Sequence, residues 1–96
     1  MGMGRAHLIV SGIVQGVFFR STSRHQALNL GLTGWVKNRR DGKVEIVVEG
    51  EEKAISNFIQ WCHEGPTGAR VDKVDLTWED FTGEFSNFSV QYFDTW

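Results

Sequence analysis

The order in which hydrophobic periodicities follow one another constrains this chain more than any other feature of its sequence. Apolar residues alternate at the strand period over 7–14, recur at helical spacing from Phe19 to Leu30, and alternate again in the middle of the chain. A glycine at position 31 suits the C-terminus of that helix. The full order is strand, helix, strand, strand, helix, strand, strand. This order favours an α+β sandwich, with both helices on one face of a mostly antiparallel sheet.

A β-hairpin is predicted in the centre of the chain. The segment 33–38 is short and apolar, and an Asp-Gly pair occupies positions 41 and 42. Residues 43–49 place alternate apolar side chains on one face of a strand. Asp-Gly is a preferred pair in tight hairpin turns because its residues tolerate positive φ. The two flanking strands are therefore expected to be neighbours in the sheet.

The C-terminal half of the chain predicts a second helix and two further strands. Apolar residues recur at helical spacing over 55–62. Residues 69–79 are extended, with a phase slip after Val71 that indicates a β-bulge, and residues 88–92 form a closing strand. Residues 1–4 are expected to fray. The predicted core consists of Leu8, Val10, Val14, Leu30, Val36, Val44, Ile46, Val48, Ile55, Phe58, Ile59, Val71, Phe88 and Val90.

Composition places the chain among ordinary globular proteins. Its 96 residues, 41% of them hydrophobic, are enough for a single domain with its own core. The formal net charge of −2 supplies no general attraction to nucleic acid or anionic membranes, so an anionic ligand must be bound locally. The one cysteine, Cys62, excludes an internal disulfide, and no secretory segment is recognisable, so a cytoplasmic location is expected. No apolar run reaches membrane-spanning length.

The turn between the first strand and the first helix indicates an anion-binding site. Its sequence is Gln15-Gly16-Val17-Phe18-Phe19-Arg20. Glycine lets the backbone approach a ligand closely, successive N–H groups in such a turn form an anion-binding concavity, and the helix start adds partial positive charge. Arg20 supplies a permanent charge and a planar fork that matches phosphate oxygens.

A purely structural role is the alternative for this turn. Gly16 would then only connect the strand to the helix, and Arg20 would lie on a solvated helix face. A nucleoside triphosphate is disfavoured because no Lys-Ser or Lys-Thr pair follows the glycine to supply a hydroxyl for magnesium.

Asn38 is a second candidate, at the end of the predicted second strand. Its amide could donate and accept hydrogen bonds to a water molecule, or it could simply form the turn. Lys37, Arg39 and Arg40 could attract an anion to the same edge or could be solvated. The three histidines and Cys62 lack the spacing of metal ligands, so no metal site is expected.

Two segments of the chain resemble the paired signature of the acylphosphatase family. They are Gly12-Ile13-Val14-Gln15-Gly16-Val17-Phe18-Phe19-Arg20 and Gly31-Leu32-Thr33-Gly34-Trp35-Val36-Lys37-Asn38. Agreement continues through residues 41–45, 50, 65–66, 69–71 and 86–90. The resemblance therefore covers nearly the whole chain, although residues 21–23 are more polar than many family members and residues 94–96 extend beyond the usual end.

The resemblance implies a ferredoxin-like sandwich and a metal-free enzyme without cofactors. Its reaction would be hydrolysis of the carboxyl–phosphate bond of small acyl phosphates, giving a carboxylate and inorganic phosphate. In this comparison, Arg20 is similar to the family's phosphate-binding arginine, Asn38 to its water-orienting asparagine, and residues 15–19 to its phosphate cradle. The implied protein is a single-domain monomer, with inorganic phosphate as product and inhibitor.

The sequence leaves two other classes of protein as alternatives. One is a phosphate-recognising module without turnover, since acylphosphatase-like modules also occur in larger proteins that process carbamoyl phosphate; the chain's length favours the free-standing enzyme. The other is an RNA-binding sandwich that stacks bases on its open sheet face. Neither strand-borne RNA-binding signature is present, so no nucleic-acid partner and no membrane partner are expected.

Overall fold

Residues 2–92 are described by the computed structural model of the protein. They form β1 Met3–Ile13, α1 Phe19–Asn29, β2 Thr33–Asn38, β3 Val44–Glu51, α2 Glu52–Glu64, β4 Arg70–Glu79 and β5 Phe88–Gln91. The strands make one sheet in the order β4-β1-β3-β2-β5, in which β2 and β5 are parallel and the other neighbours are antiparallel. The expected α+β sandwich, βαββαβ with a short C-terminal strand, is confirmed.

The core lies between the sheet and the two helices. Side chains alternate across a strand, so Leu8 of β1 and Ile46 of β3, which pair in the register, point to the same side. Both are fully buried, as is Phe58 of α2, and burying one such side chain stabilises the fold by roughly 1.5–3 kcal/mol. The predicted core is confirmed, apart from four residues that are half-buried and pack against it: Leu30, Ile59, Val71 and Val90.

β1 is longer than the sequence predicts. It begins at Met3, which pairs with Glu51 of β3, so the fraying expected for residues 1–4 is wrong for residues 3 and 4. The N–H of Glu52 also donates to the carbonyl of Gly2 at 3.1 Å. This start is held by pairing with a distant strand, which local periodicity does not encode. Residue 1 and residues 94–96 lie outside the described residues.

The predicted bulge lies between β1 and β4. Ser11 pairs with Lys73, whereas the next residue, Gly12, pairs with Val71. Asp72 is therefore the extra residue, and it follows Val71, where the apolar pattern changes phase. The bulge prediction is confirmed.

The sheet face opposite the helices is crossed by residues 80–87, which connect β4 at one edge of the sheet to β5 at the other. Glu49 of β3 points to this face and is only 1% exposed. Its carboxylate accepts hydrogen bonds from the N–H and the hydroxyl of Thr82, both at 2.9 Å, and from the N–H of Gly83 at 3.0 Å. Arg5 of β1 donates to the same carboxylate at 3.2 Å. The connection is thereby fastened to the middle of the sheet.

Candidate active site

Three strands end at the same end of the sheet. β1 and β2 are both antiparallel to β3 and so run in one direction, and β5 is parallel to β2. Their last residues, Ile13, Asn38 and Gln91, therefore lie at one end of the sheet. The loop after β1 leads into α1, so the N-terminus of that helix lies there too. Three segments that are distant in sequence therefore meet at this end.

A cavity of about 280 Å³ opens among these segments. Gly16, Arg20 and Asn38 line it, so the structure brings together three residues that the sequence had singled out. The buried side chains of Val14 and Phe19, each 1% exposed, form its inner wall. The rest of the lining comes from Phe18, Ser21, Val90 and Tyr92.

The backbone of residues 15–19, here called the cradle loop, passes through two left-handed positions. Gly16 has a φ of 74°, and an added Cβ would find open space there. Phe18 has a φ of 62° and a ψ of 25°, and it is the one non-glycine residue between positions 2 and 92 with positive φ. The left-handed conformation costs such a residue roughly 1–2 kcal/mol. Strain of this kind clusters at binding sites, and turns of this kind direct N–H groups into an anion-binding concavity.

α1 starts from the cradle loop and presents its first amides to the cavity end of the sheet. Within the described chain, the N-cap residue Phe18 makes no side-chain capping hydrogen bond. The N–H of Thr22 donates to the carbonyl of Phe18 at 3.0 Å and forms the first bond of the helix. The N–H groups of residues 19–21 precede it and have no helical carbonyl to bind. Together with the partial positive charge of the helix N-terminus, they suit an anion.

Gln15 and Val17 support the cradle loop from outside the cavity. The side-chain amide of Gln15 donates to the carbonyls of Arg39 at 2.7 Å and Lys43 at 2.9 Å, on either side of the hairpin turn. Val17 is half-buried and packs against the core. The structure thus separates the predicted cradle into two groups: residues that line the cavity, and residues whose side chains anchor the loop.

The guanidinium of Arg20 is held at the cavity by the end of β5. Its Nη1 donates to the carbonyl of Gln91 at 3.2 Å, and its Cζ lies 4.9 Å from the ring centroid of Tyr92. A guanidinium has five N–H donors, so this tether leaves donors for an anion. Tyr92 follows β5, which ends one residue earlier than the sequence predicts.

Asn38 lines the same cavity and carries a buried acceptor. As the last residue of β2, it falls on the face of the sheet that carries the buried side chain of Val36. Its Oδ1 is buried and has no hydrogen-bond partner among the residues that the structure describes. A buried acceptor left unpaired costs about 1–3 kcal/mol, so this oxygen is suited to accept from a water molecule or a ligand.

The other candidates lie outside the cavity lining. Lys37 lies 3.9 Å from the carboxylate of Glu45, and Arg39 lies 3.0 Å from that of Asp41. Cys62 is fully buried, and burial raises the pKa of its thiol, as expected of a core cysteine. Among residues 2–92, no three His, Cys, Asp or Glu side chains converge as metal ligands would. Over the same range, no helix has the length and apolar character needed to cross a membrane.

Sequence reasoning missed four lining residues, namely Val14, Ser21, Val90 and Tyr92. The last two reach the cavity because β5 pairs with β2 in parallel, a contact between distant segments. The available signal was an aromatic residue, Tyr92, at the end of the predicted closing strand. The sequence does not specify which strand of the sheet this closing strand pairs with.

The fold and the cavity define an α+β sandwich in which a loop with left-handed backbone, an arginine and an asparagine line a cavity at one end of the sheet. The family model described as Acylphosphatase matches residues 6–90. The chain therefore belongs to the acylphosphatase family, and the resemblance seen in the sequence is confirmed.

Individual relatives support the same family assignment. The chain is 51% identical over 92 residues to an acylphosphatase of Pelotomaculum thermopropionicum, covering 96% of this chain and 100% of that one. It superimposes on the crystal structure of acylphosphatase from Bacillus subtilis with a TM-score of 0.89 and 36% identity, over 95% and 100% of the two chains. The TM-score with an acylphosphatase structure from Coxiella burnetii is 0.84, at 44% identity over 93% of each chain. The ferredoxin-like fold is confirmed, and the protein is an enzyme with acylphosphatase function, acting on acyl phosphates and releasing phosphate.

Proposed function

We propose that Arg20 and the amides of the cradle loop bind the phosphoryl group of an acyl phosphate, and that Asn38 positions the water that hydrolyses it. One observation carries this proposal. Asn38, whose buried Oδ1 has no hydrogen-bond partner among the described residues, lines the same cavity as Arg20 and Gly16. An anion bound by Arg20 and the amide of Gly16 would lie next to a water molecule bound by Asn38.

The proposed hydrolysis needs few further groups from the protein. In the proposed step the water oxygen forms a bond to phosphorus while the bond from phosphorus to the acyl oxygen breaks, and the carboxylate leaves with that electron pair. The water's proton passes to an oxygen of the phosphate, since no side chain of the cavity is an obvious base. A carboxylate is a good leaving group, and phosphoryl transfer has a loose transition state that depends mainly on positioning and on neutralising charge.

Arg20 is suited to that neutralisation because it is already held in place. Its bond to the carbonyl of Gln91 and its contact with Tyr92 fix the guanidinium before the ligand arrives. Preorganised donors stabilise developing charge without reorganisation during the reaction. Each charge-assisted hydrogen bond contributes roughly 1.5–3 kcal/mol, and only the part specific to the transition state raises turnover.

Five further properties complete the proposal. The chain would act as one domain and as a monomer. Inorganic phosphate would inhibit because it fits the site of the phosphoryl group. Metal-free turnover is supported by a cavity whose polar groups are an arginine, an amide, two hydroxyls and backbone N–H groups. A cytoplasmic location is supported by the single cysteine, a free buried thiol.

Hydrolysis of benzoyl phosphate in the presence of a chelator tests the proposal. Arg20→Ala is expected to lower kcat/KM by about 10²-fold or more, since removal of one preorganised donor typically has an effect of this size. It should also weaken inhibition by inorganic phosphate. Arg24→Ala is a matched control, because Arg24 also belongs to α1 and also donates to a β5 carbonyl, that of Phe88 at 3.3 Å, without lining the cavity. Normal turnover and normal phosphate inhibition in Arg20→Ala would refute the assignment.

A further inference from the structure

We propose that the exposed rings of Phe18 and Tyr92 form the acyl subsite of this cavity and give the enzyme a preference for acyl phosphates with an aromatic acyl group. The proposal rests on the phosphate site proposed above and specifies the part of the substrate that this site leaves unbound. It is supported by the position and exposure of the two rings and by the left-handed backbone of Phe18.

The cavity has room for more than the phosphoryl group. Its volume of about 280 Å³ equals about nine water molecules at their liquid volume, more than a phosphoryl group and one attacking water occupy. Val14 and Phe19 close its inner wall. A phosphoryl group bound at Arg20 must therefore direct its acyl substituent toward the mouth, where the exposed lining residues lie.

Neither the turn nor the core explains a phenylalanine at position 18. Its left-handed φ of 62° favours glycine, so the side chain adds strain to the loop. The residue is also 82% exposed, so little of its apolar surface is buried in the free protein. Since the strained ring lines the cavity, a ligand that covers it would bury surface that folding leaves in water.

Tyr92 presents the second ring next to the phosphate anchor. It is 72% exposed, and Arg20 lies 4.9 Å from its centroid. The carbonyl carbon of an acyl phosphate is separated from phosphorus by a single oxygen, so an acyl group whose phosphate is bound by Arg20 must lie close to this ring. Aromatic groups pack against each other in offset or edge-to-face contacts that small acyl groups cannot make.

A selectivity measurement tests the subsite. We expect Phe18→Leu and Tyr92→Leu each to lower the ratio of kcat/KM for benzoyl phosphate to that for acetyl phosphate by about two- to tenfold, as for loss of one aromatic contact. Leucine keeps an apolar side chain, and at position 18 it keeps the strained Cβ. Phe81→Leu removes an exposed ring, 43% exposed, that does not line the cavity, and should leave the ratio unchanged.

Inhibition by two stable anions provides a second readout that does not require turnover. Phenylphosphonate should inhibit the wild type more strongly than methylphosphonate, and both cavity variants should reduce that difference. An unchanged substrate ratio, or equal losses with both substrates, would overturn the subsite while leaving the phosphate site standing. A wild type that hydrolyses neither substrate would instead refute the proposed function, and the phosphonates would still report any aromatic preference.

Discussion

Burial of the Asn38 Oδ1 costs desolvation free energy, and no described residue offsets this cost with a hydrogen bond. Replacing Asn38 should therefore affect activity and stability differently. We expect Asn38→Ala to lower kcat for benzoyl phosphate by about 10²-fold, because the water loses the acceptor that orients it. Inhibition by inorganic phosphate should persist, since Arg20 and the cradle loop are intact. Steady-state kinetics with phosphate as inhibitor measure both quantities.

The stability of the same variant is informative. Removing an unpaired buried acceptor also removes its desolvation cost of about 1–3 kcal/mol, so Asn38→Ala should unfold in urea at the same or a higher concentration than the wild type. Asn57→Ala, on the exposed face of α2, is the control for general effects of removing an asparagine. A variant that lost phosphate affinity but kept its turnover would contradict the role assigned to Asn38.

Single residues differ in how far the sequence reveals them. Arg20 and Asn38 could be singled out because each stands next to a local signal, one at a glycine turn and helix start, the other at a strand end before a hairpin turn. Those signals alone left a structural role open for both residues, and the family resemblance favoured the site. Tyr92 could not, because its place beside Arg20 depends on the parallel pairing of β5 with β2. Glu49 has the position in the alternating pattern that a surface residue would have, but Arg5 and the crossing segment 80–87 bind its carboxylate, and the residue is buried.

At the scale of the element, the cradle loop before α1 can be tested by comparing two glycines that have nearly the same positive φ, one on each side of that helix. Gly16 and Gly31 have φ values of 74° and 71°, and an added Cβ meets no heavy atom within 4 Å at either position. Gly16→Ala and Gly31→Ala should each destabilise the protein by about 1–2 kcal/mol in urea unfolding, because alanine is strained at positive φ. Only Gly16→Ala should also reduce kcat/KM, since only Gly16 lines the cavity. Equal activity in the two variants would argue against the cradle loop as the phosphate site.

The elements themselves were predictable because each buries one face against the others, and that face sets the period of its apolar residues. α1 shows the limit of this signal. Its buried face includes Ser23, a polar residue that weakens the helical pattern in the sequence. In the structure the Ser23 hydroxyl donates to the carbonyl of Phe19 at 2.7 Å, which satisfies the hydroxyl inside the core. A local hydrogen bond thus lets a weakly amphipathic segment pack as a helix.

At the scale of the whole molecule, Glu49 links the centre of the sheet to the segment that joins its two edges. Burial alone would raise the pKa of this carboxyl, but the hydrogen bonds from Thr82, Arg5 and Gly83 outweigh burial and lower its pKa below the usual 4.5. A carboxyl whose pKa is lower in the folded state than in the unfolded state adds stability above pH 4.5, and that contribution is lost as the pH falls through the folded-state value.

Glu49→Gln tests this link and its pH dependence together. The glutamine NH₂ group would face N–H donors that now bind a carboxylate oxygen, so we expect a loss of about 1–3 kcal/mol in the free energy of unfolding at neutral pH. The difference from wild type should shrink as the pH falls below 4.5 and through the folded-state pKa of Glu49, because the wild-type carboxyl then becomes neutral as well. Urea unfolding across this pH range measures it.

Glu84→Gln is the matched control for that experiment, because Glu84 also binds Arg5, at 2.7 Å, but its side chain is 55% exposed. Exposed ion pairs contribute about 0–1 kcal/mol, so this variant should differ little from wild type. A deficit in Glu49→Gln that stayed constant with pH would mean that the carboxylate charge is not what fastens residues 80–87. The loss would then come from packing alone, and acid unfolding would have to begin elsewhere in the molecule.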